Sequence, residues 1–195
     1  MKKKVRGTVI IVLGLVLAFS GAAVYSRYEQ KARAAKVNAE ILLQDVKQDI
    51  QQRHLAAVVT EAPEGQMMQT SVNGYALAGI LKVEEAGIEL PVLGSWSYEL
   101  LNHGVCRYRG SLQTKDLVLL GHNYEGHLAD LDQAEPGDLV ELVDVDGTSH
   151  MFRIADTAVI KPDQPRALAE GTYPLTIFTC TPGGQRRYVV YCEEG

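Results

Sequence analysis

With 195 residues, 46% of them hydrophobic and 22% charged, the chain has room for one folded domain and an additional segment. The formal net charge of −5 hides a partition: Lys2, Lys3, Lys4 and Arg6 cluster at the start, while the chain from Glu61 onward has 20 acidic and 9 basic residues, a net of −11. A domain that acidic argues against a nucleic-acid partner, because phosphate binding needs clustered cations.

Behind the basic cluster, Thr8 to Tyr25 carries no charge. At 1.5 Å per residue it makes about 27 Å of helix, enough for a hydrocarbon core. With Arg27 and Tyr28 behind it, the run is expected to be a single-pass anchor with its N-terminus in the cytoplasm and the domain outside. Ser20, Gly21, Ala22 and Ala23 supply the small residues of the rival reading, a cleaved signal peptide, but the run is longer than a usual signal core.

From Glu29 to about Val59 there is no proline or glycine, and Ala, Gln, Lys, Glu and Leu dominate. This predicts a second, membrane-proximal helix, with Ile41, Leu42, Val46 and Ile50 as its apolar stripe and Val37 one turn earlier. The stripe is expected to pack on the chain's own domain, and His54 to face solvent. Thr60 to Ser71 reads as a linker, with Met67 and Met68 covering an apolar edge.

The texture then changes to short strands. Tyr75–Val83 and Ile88–Leu93 read as a hairpin with Pro91 at an edge or bulge. Trp96 is expected to plug the core. Val105–Tyr108 and the apolar Leu117–Leu120 follow, the latter running into Gly121-His122-Asn123. Glu125–Glu135 suggests a short helix. His103 and His127 read as surface loop histidines, and Asp130, Asp132 and Glu135 as a solvated face, since their spacing fits no calcium loop. Leu139–Val145 and His150–Ile160 form a hairpin about Asp146-Gly147. A loop from Lys161 to Gly171, long enough to shape a groove, precedes the last two strands, Leu175–Cys180 and Arg187–Tyr191. About eight strands with turn signals every 8–12 residues predict a mainly β barrel or sandwich; periodicity does not choose between them.

The chemistry concentrates at the chain's end. Cys180 closes a strand, Thr181-Pro182-Gly183-Gly184-Gln185-Arg186 makes a loop, and Arg187 opens the next strand at the same end of the sheet. A fixed cation lowers a thiol pKa, so the pair fits a nucleophile, although a free cysteine is equally at home in a core. His122 also ends an apolar strand, where its imidazole can exchange protons near neutral pH. A cysteine and a histidine within reach make a thiol acyl-transfer site, with Arg187 as an oxyanion donor. Adjacent strand residues face opposite ways, so Arg186 and Arg187 compete for the groove. An odd count of three cysteines leaves at least one thiol unpaired. Either Cys106 and Cys192 form a disulfide beside a reactive Cys180, or all three thiols stand apart. The absence of C-x-x-C and H-E-x-x-H motifs gives no reason to expect a metal or cofactor.

Three separated motifs resemble those of the sortases. Thr176-Ile177-Phe178-Thr179-Cys180 is similar to their T-L-x-T-C, with Ile177 in place of leucine. Leu120-Gly121-His122-Asn123 resembles the strand end that carries their histidine, and Arg187-Tyr188-Val189-Val190 their arginine-led final strand. The G-H-N form looks closest to class B, or a class B-like group, although the long helix that class B members insert before the cysteine strand is missing. The resemblance implies an eight-stranded sortase β-barrel preceded by a transmembrane helix and a membrane-proximal helix. It divides the chain into a cytoplasmic tail (1–7), an anchor (8–27), the second helix (28–60) and the catalytic domain (61–195). It further implies a cysteine transpeptidase at a Gram-positive-type cell surface. Cys180 would take a C-terminal sorting motif of a secreted protein as a thioacyl-enzyme and pass it to a cell-wall or pilin amine, with His122 as acid–base group and Arg187 at the oxyanion. Asn123, Thr179 and Arg186 are secondary candidates. An exported thiol peptidase that mainly hydrolyses, or a catalytically idle anchored peptide-binding module, remains the alternative.

Overall fold

The computed structural model describes residues 2–56, 66–164 and 173–195. It divides into two units, residues 1–34 and 35–195. The chain forms one helix, α1 (Lys2–Ala56), and nine strands. The strands are β1 (Thr70–Val72), β2 (Tyr75–Val83), β3 (Ile88–Leu93), β4 (Val105–Arg109), β5 (Leu117–Gly121), β6 (Leu139–Asp144), β7 (Ser149–Ile160), β8 (Leu175–Cys180) and β9 (Arg187–Glu194).

The expectation of two helices is corrected to one. No proline interrupts the stretch, and beyond Gly21 it contains no glycine either, so the first segment runs into the second without a break. In the first unit, Ile11, Leu13, Val16, Leu17, Phe19 and Val24 are all exposed, an apolar surface on every side that suits lipid. In the second unit, Ala35, Ala39, Leu42, Leu43, Val46 and Ile50 are buried. Leu42, Val46 and Ile50 pack with Val72, Leu77, Ile80, Leu93, Leu101 and Cys106, so this face of α1 covers its own domain. Val37 and Ile41, read as part of the stripe, are about half exposed, and Ala35, Ala39 and Leu43 take their places.

The strands follow the order β1-β2-β3-β4-β5-β8-β9-β7-β6, and a further β2–β6 pairing closes β2 to β9 into an eight-stranded barrel. β1 is a short addition to β2, inside the stretch read as linker. The β5–β8 and β3–β4 pairs are parallel, and the other pairings are antiparallel. The barrel interior is filled by alternate residues, including Leu117 and Leu119 of β5, Leu175 and Ile177 of β8, and Val190 and Cys192 of β9. Between Glu125 and Glu135 the only helical element is a single 3-10 turn, Ala129–Gln133. Trp96 is 44% exposed and does not plug the core. Most of the loop read over Lys161–Gly171 and most of the linker ahead of Gln66 lie outside the described residues.

Candidate functional site

The register of three adjacent strands builds the site. β5 and β8 run parallel with Gly121 opposite Thr179, so His122 and Cys180 each follow one residue later at the same end. β8 and β9 run antiparallel with Cys180 directly opposite Arg187. Neighbouring strands lie about 4.8 Å apart, so His122, Cys180 and Arg187 form one row across the sheet. Alternation also places Cys180 and Arg187 on one face. Leu117, Leu119, Ile177 and Val190 point into the core, whereas Val118, Phe178 and Val189 cluster on the opposite face. Cys180 and Arg187 share the parity of the second group, and His122 opens the turn just past β5.

Local chemistry sets this row in place. The Thr179 hydroxyl donates to the Gly121 carbonyl at 2.9 Å and ties the two strand ends together inside the barrel. Thr179 is therefore buried and faces away from the row. Gly121 is small by necessity: a Cβ there would lie 2.8 Å from a Leu128 methyl and 3.1 Å from Val105. The loop after Cys180 is closed by Thr181, whose N–H donates to the Arg186 carbonyl at 3.0 Å and whose carbonyl accepts from Gly184 N–H at 2.7 Å. Gly183 and Gly184 have φ of +83° and +72°, a left-handed turn that side chains resist. Arg187 Nη1 donates to the carbonyls of Gly184 and Arg186, at 3.1 Å each, which holds the guanidinium against this loop. Arg186 precedes β9 and is exposed, outside the row. Asn123 follows His122 in the turn and is half-buried.

Cys180 is partly exposed, unlike the other two thiols. Cys106 and Cys192 are both free and buried, so the disulfide considered between them is not formed. Cys192 packs in the barrel interior and Cys106 under α1, each serving as a small apolar residue. Burial pushes both thiols up to about 12, which leaves them unreactive. His122 is lowered to about 4, mainly by burial and secondarily by His127. Its ring stacks on Tyr124, with centroids 4.4 Å apart and planes at 23°. His127 is buried, not the surface residue its loop position suggested; a histidine on a polar-looking loop gives no sign of the helix that covers it. Next to the row, Phe178 receives the edge of Tyr108 at 5.6 Å, and Tyr108 lies 5.9 Å from Trp96. Among the described residues no cluster suits a metal ion.

A family model described as "Sortase domain" matches residues 81–195. The chain belongs to the sortase family. Its barrel resembles that of sortase C1 from Streptococcus agalactiae at 21% identity and a TM-score of 0.52, over 60% of this chain and 66% of that one. It also resembles sortase C from Clostridium perfringens SM101, at 18% identity and a TM-score of 0.53, over 87% and 97%. Sortase C1 of the group B streptococcal pilus island 1 matches at 18% identity and a TM-score of 0.59, over 80% and 92%. No curated protein matches the chain. These structures correct the likeness to class B: eight of the structures most similar to the chain are sortases C. A G-H-N turn constrains only the few residues around the histidine and does not report on the whole barrel. The protein is thus a sortase-type enzyme, and its apolar N-terminal helix supports membrane anchoring.

Proposed function

We propose that this sortase acts as a membrane-anchored cysteine transpeptidase on secreted proteins, with Cys180 as nucleophile, His122 as acid–base group and Arg187 as oxyanion donor. The observation that supports this reading is the register: Cys180 pairs with Arg187, and His122 follows Gly121, whose parallel partner Thr179 precedes Cys180. Lys2, Lys3, Lys4 and Arg6, at the start of α1 and ahead of its apolar run, support an N-terminus in the cytoplasm and a barrel outside.

In the free enzyme His122 is neutral at pH 7, so it can act first as a base. The Cys180 thiol gives its proton to the imidazole as sulfur adds to a backbone carbonyl in the C-terminal sorting motif. The oxyanion faces the Arg187 guanidinium, which carries five N–H donors; among the described residues its two loop bonds both come from Nη1. Collapse breaks the C–N bond, the imidazolium protonates the departing amine, and the acyl group stays on Cys180 as a thioester. An incoming amine, from a cell-wall precursor or a pilin lysine, loses its proton to His122 as it attacks. The new amide forms, and the returning proton restores the thiol.

The test uses the full chain in detergent micelles, a randomised peptide pool and hydroxylamine as the amine. The expected result is peptide hydroxamate from the wild type and none from Cys180→Ala. Cleavage that ignores the amine would identify a hydrolase, and no cleavage at all an idle binding module.

A further inference from the structure

The turn after β5 is folded on itself. Leu128 N–H donates to the His122 carbonyl at 3.0 Å, and the Tyr124 carbonyl accepts from His127 N–H at 2.9 Å and from Ala129 N–H at 3.3 Å. This arrangement puts three rings in series. Tyr124 lies almost flat on His122, 4.4 Å away at 23°, and makes a T-shaped contact with His127 at 6.3 Å and 67°. His127 is 3% exposed, and among the described residues the approach of its ring to the Ala35 backbone falls short of good hydrogen-bond geometry. Burial holds it neutral, against the opposing pull of the Ala35 backbone. From outside, α1 braces the turn. A Cβ on Gly126, whose φ is +77°, would lie 2.6 Å from Lys36 Cγ, and Lys36 Nζ pairs with Glu125 Oε1 at 3.5 Å.

We propose that Tyr124 is a positioning residue for His122: its ring face holds the imidazole at the end of β5, and His127, buried in T-shaped contact with Tyr124, holds Tyr124. The proposal rests on reading His122 as the acid–base group. An imidazole at a strand end has one chain neighbour and a free χ2, whereas proton transfer in both directions needs it within hydrogen-bond reach of the reacting nitrogen. A stacked ring removes that freedom without adding a charge. The titratable and charged groups around His122 are Tyr124 and His127 in its own turn, Cys180 at the end of β8, Arg187 at the start of β9, and Lys36 with Glu125 at the rim.

The experiment follows the His122 titration midpoint by NMR in the full chain in micelles, with labelled histidine, together with the pH dependence of Cys180 alkylation by iodoacetamide. Tyr124→Ala admits water to the imidazole and should raise the midpoint by about one unit, moving the alkylation profile with it. Tyr124→Phe keeps the ring and should match the wild type. An unchanged midpoint in Tyr124→Ala would overturn the proposal, as would Tyr124→Phe behaving like Tyr124→Ala, since the hydroxyl and not the ring would then be responsible. Retained protection of Cys106 and Cys192 certifies the fold. If Tyr124→Ala loses it, Tyr124→Leu preserves apolar volume without a stack and gives the same comparison. His122→Ala separates the two layers. If that variant still forms hydroxamate, the acid–base reading fails, while the wild-type midpoint still reports on the stack.

Discussion

At the residue scale, position in the ladder favours Arg187 over Arg186 as the proposed oxyanion donor. Arg187 is the direct cross-strand partner of Cys180, whereas Arg186 lies before β9 and is exposed. Arg187→Ala is therefore expected to lower hydroxamate formation by about a hundredfold, the usual loss of an oxyanion donor. Arg186→Ala should stay within about twofold, and side-by-side rates of product formation check both. Thr179 has a structural part. Its buried hydroxyl satisfies the Gly121 carbonyl between the strands that carry His122 and Cys180. Thr179→Val keeps the volume and loses the bond, so it should cost about 1 kcal/mol of stability, measured by urea unfolding in micelles.

At the element scale, two segments carry consequences. The buried face of α1 in the second unit includes Val46, which is fully buried, whereas Ile41 is 56% exposed. Val46→Ala should destabilise the barrel by about 1–3 kcal/mol, and Ile41→Ala should change little, by the same unfolding measurement. The turn after β5 makes stability depend on pH. His122 and His127 both titrate below the ordinary histidine value in the folded protein because they are buried. Between about pH 6.5 and pH 4 the unfolded chain therefore binds protons that the folded one refuses, so stability is greatest above this window and falls as the pH drops through it. The partial exposure of His122 limits its share to roughly 1–2 kcal/mol. Thermal melts across the window should show a midpoint that falls on acidification, less steeply in His127→Gln.

At the scale of the whole molecule, the sequence makes strand ends legible and the pairing between strands illegible. Leu117–Leu120 and Leu175–Cys180 stand out as apolar runs that stop on a histidine turn and a cysteine, because a buried strand and its polar terminus are local features. The parallel register that sets His122 beside Cys180 is a tertiary fact, across 58 positions of chain, and only the family motifs anticipate it. The same distinction explains the misses. Whether a helix stops near residue 28 depends on a breaker that the sequence lacks, and Trp96 reads as a core residue until the loop after β3 leaves it at the surface. Val37 and Ile41 sit beside the true stripe, where one step of 100° decides burial. The likeness to class B rests on one turn and a compact layout, neither of which reports the architecture that the sortase C structures share with this chain.

The central claim is that Cys180, His122 and Arg187 act as one site while the other thiols are structural. It is tested most directly by the rate of iodoacetamide alkylation at each cysteine of the folded, reduced full chain. The expected result is modification of Cys180 alone, slowed several-fold by Arg187→Ala and unchanged by Arg186→Ala. An inert Cys180, or equal labelling of Cys106 and Cys192 in folded protein, would contradict it.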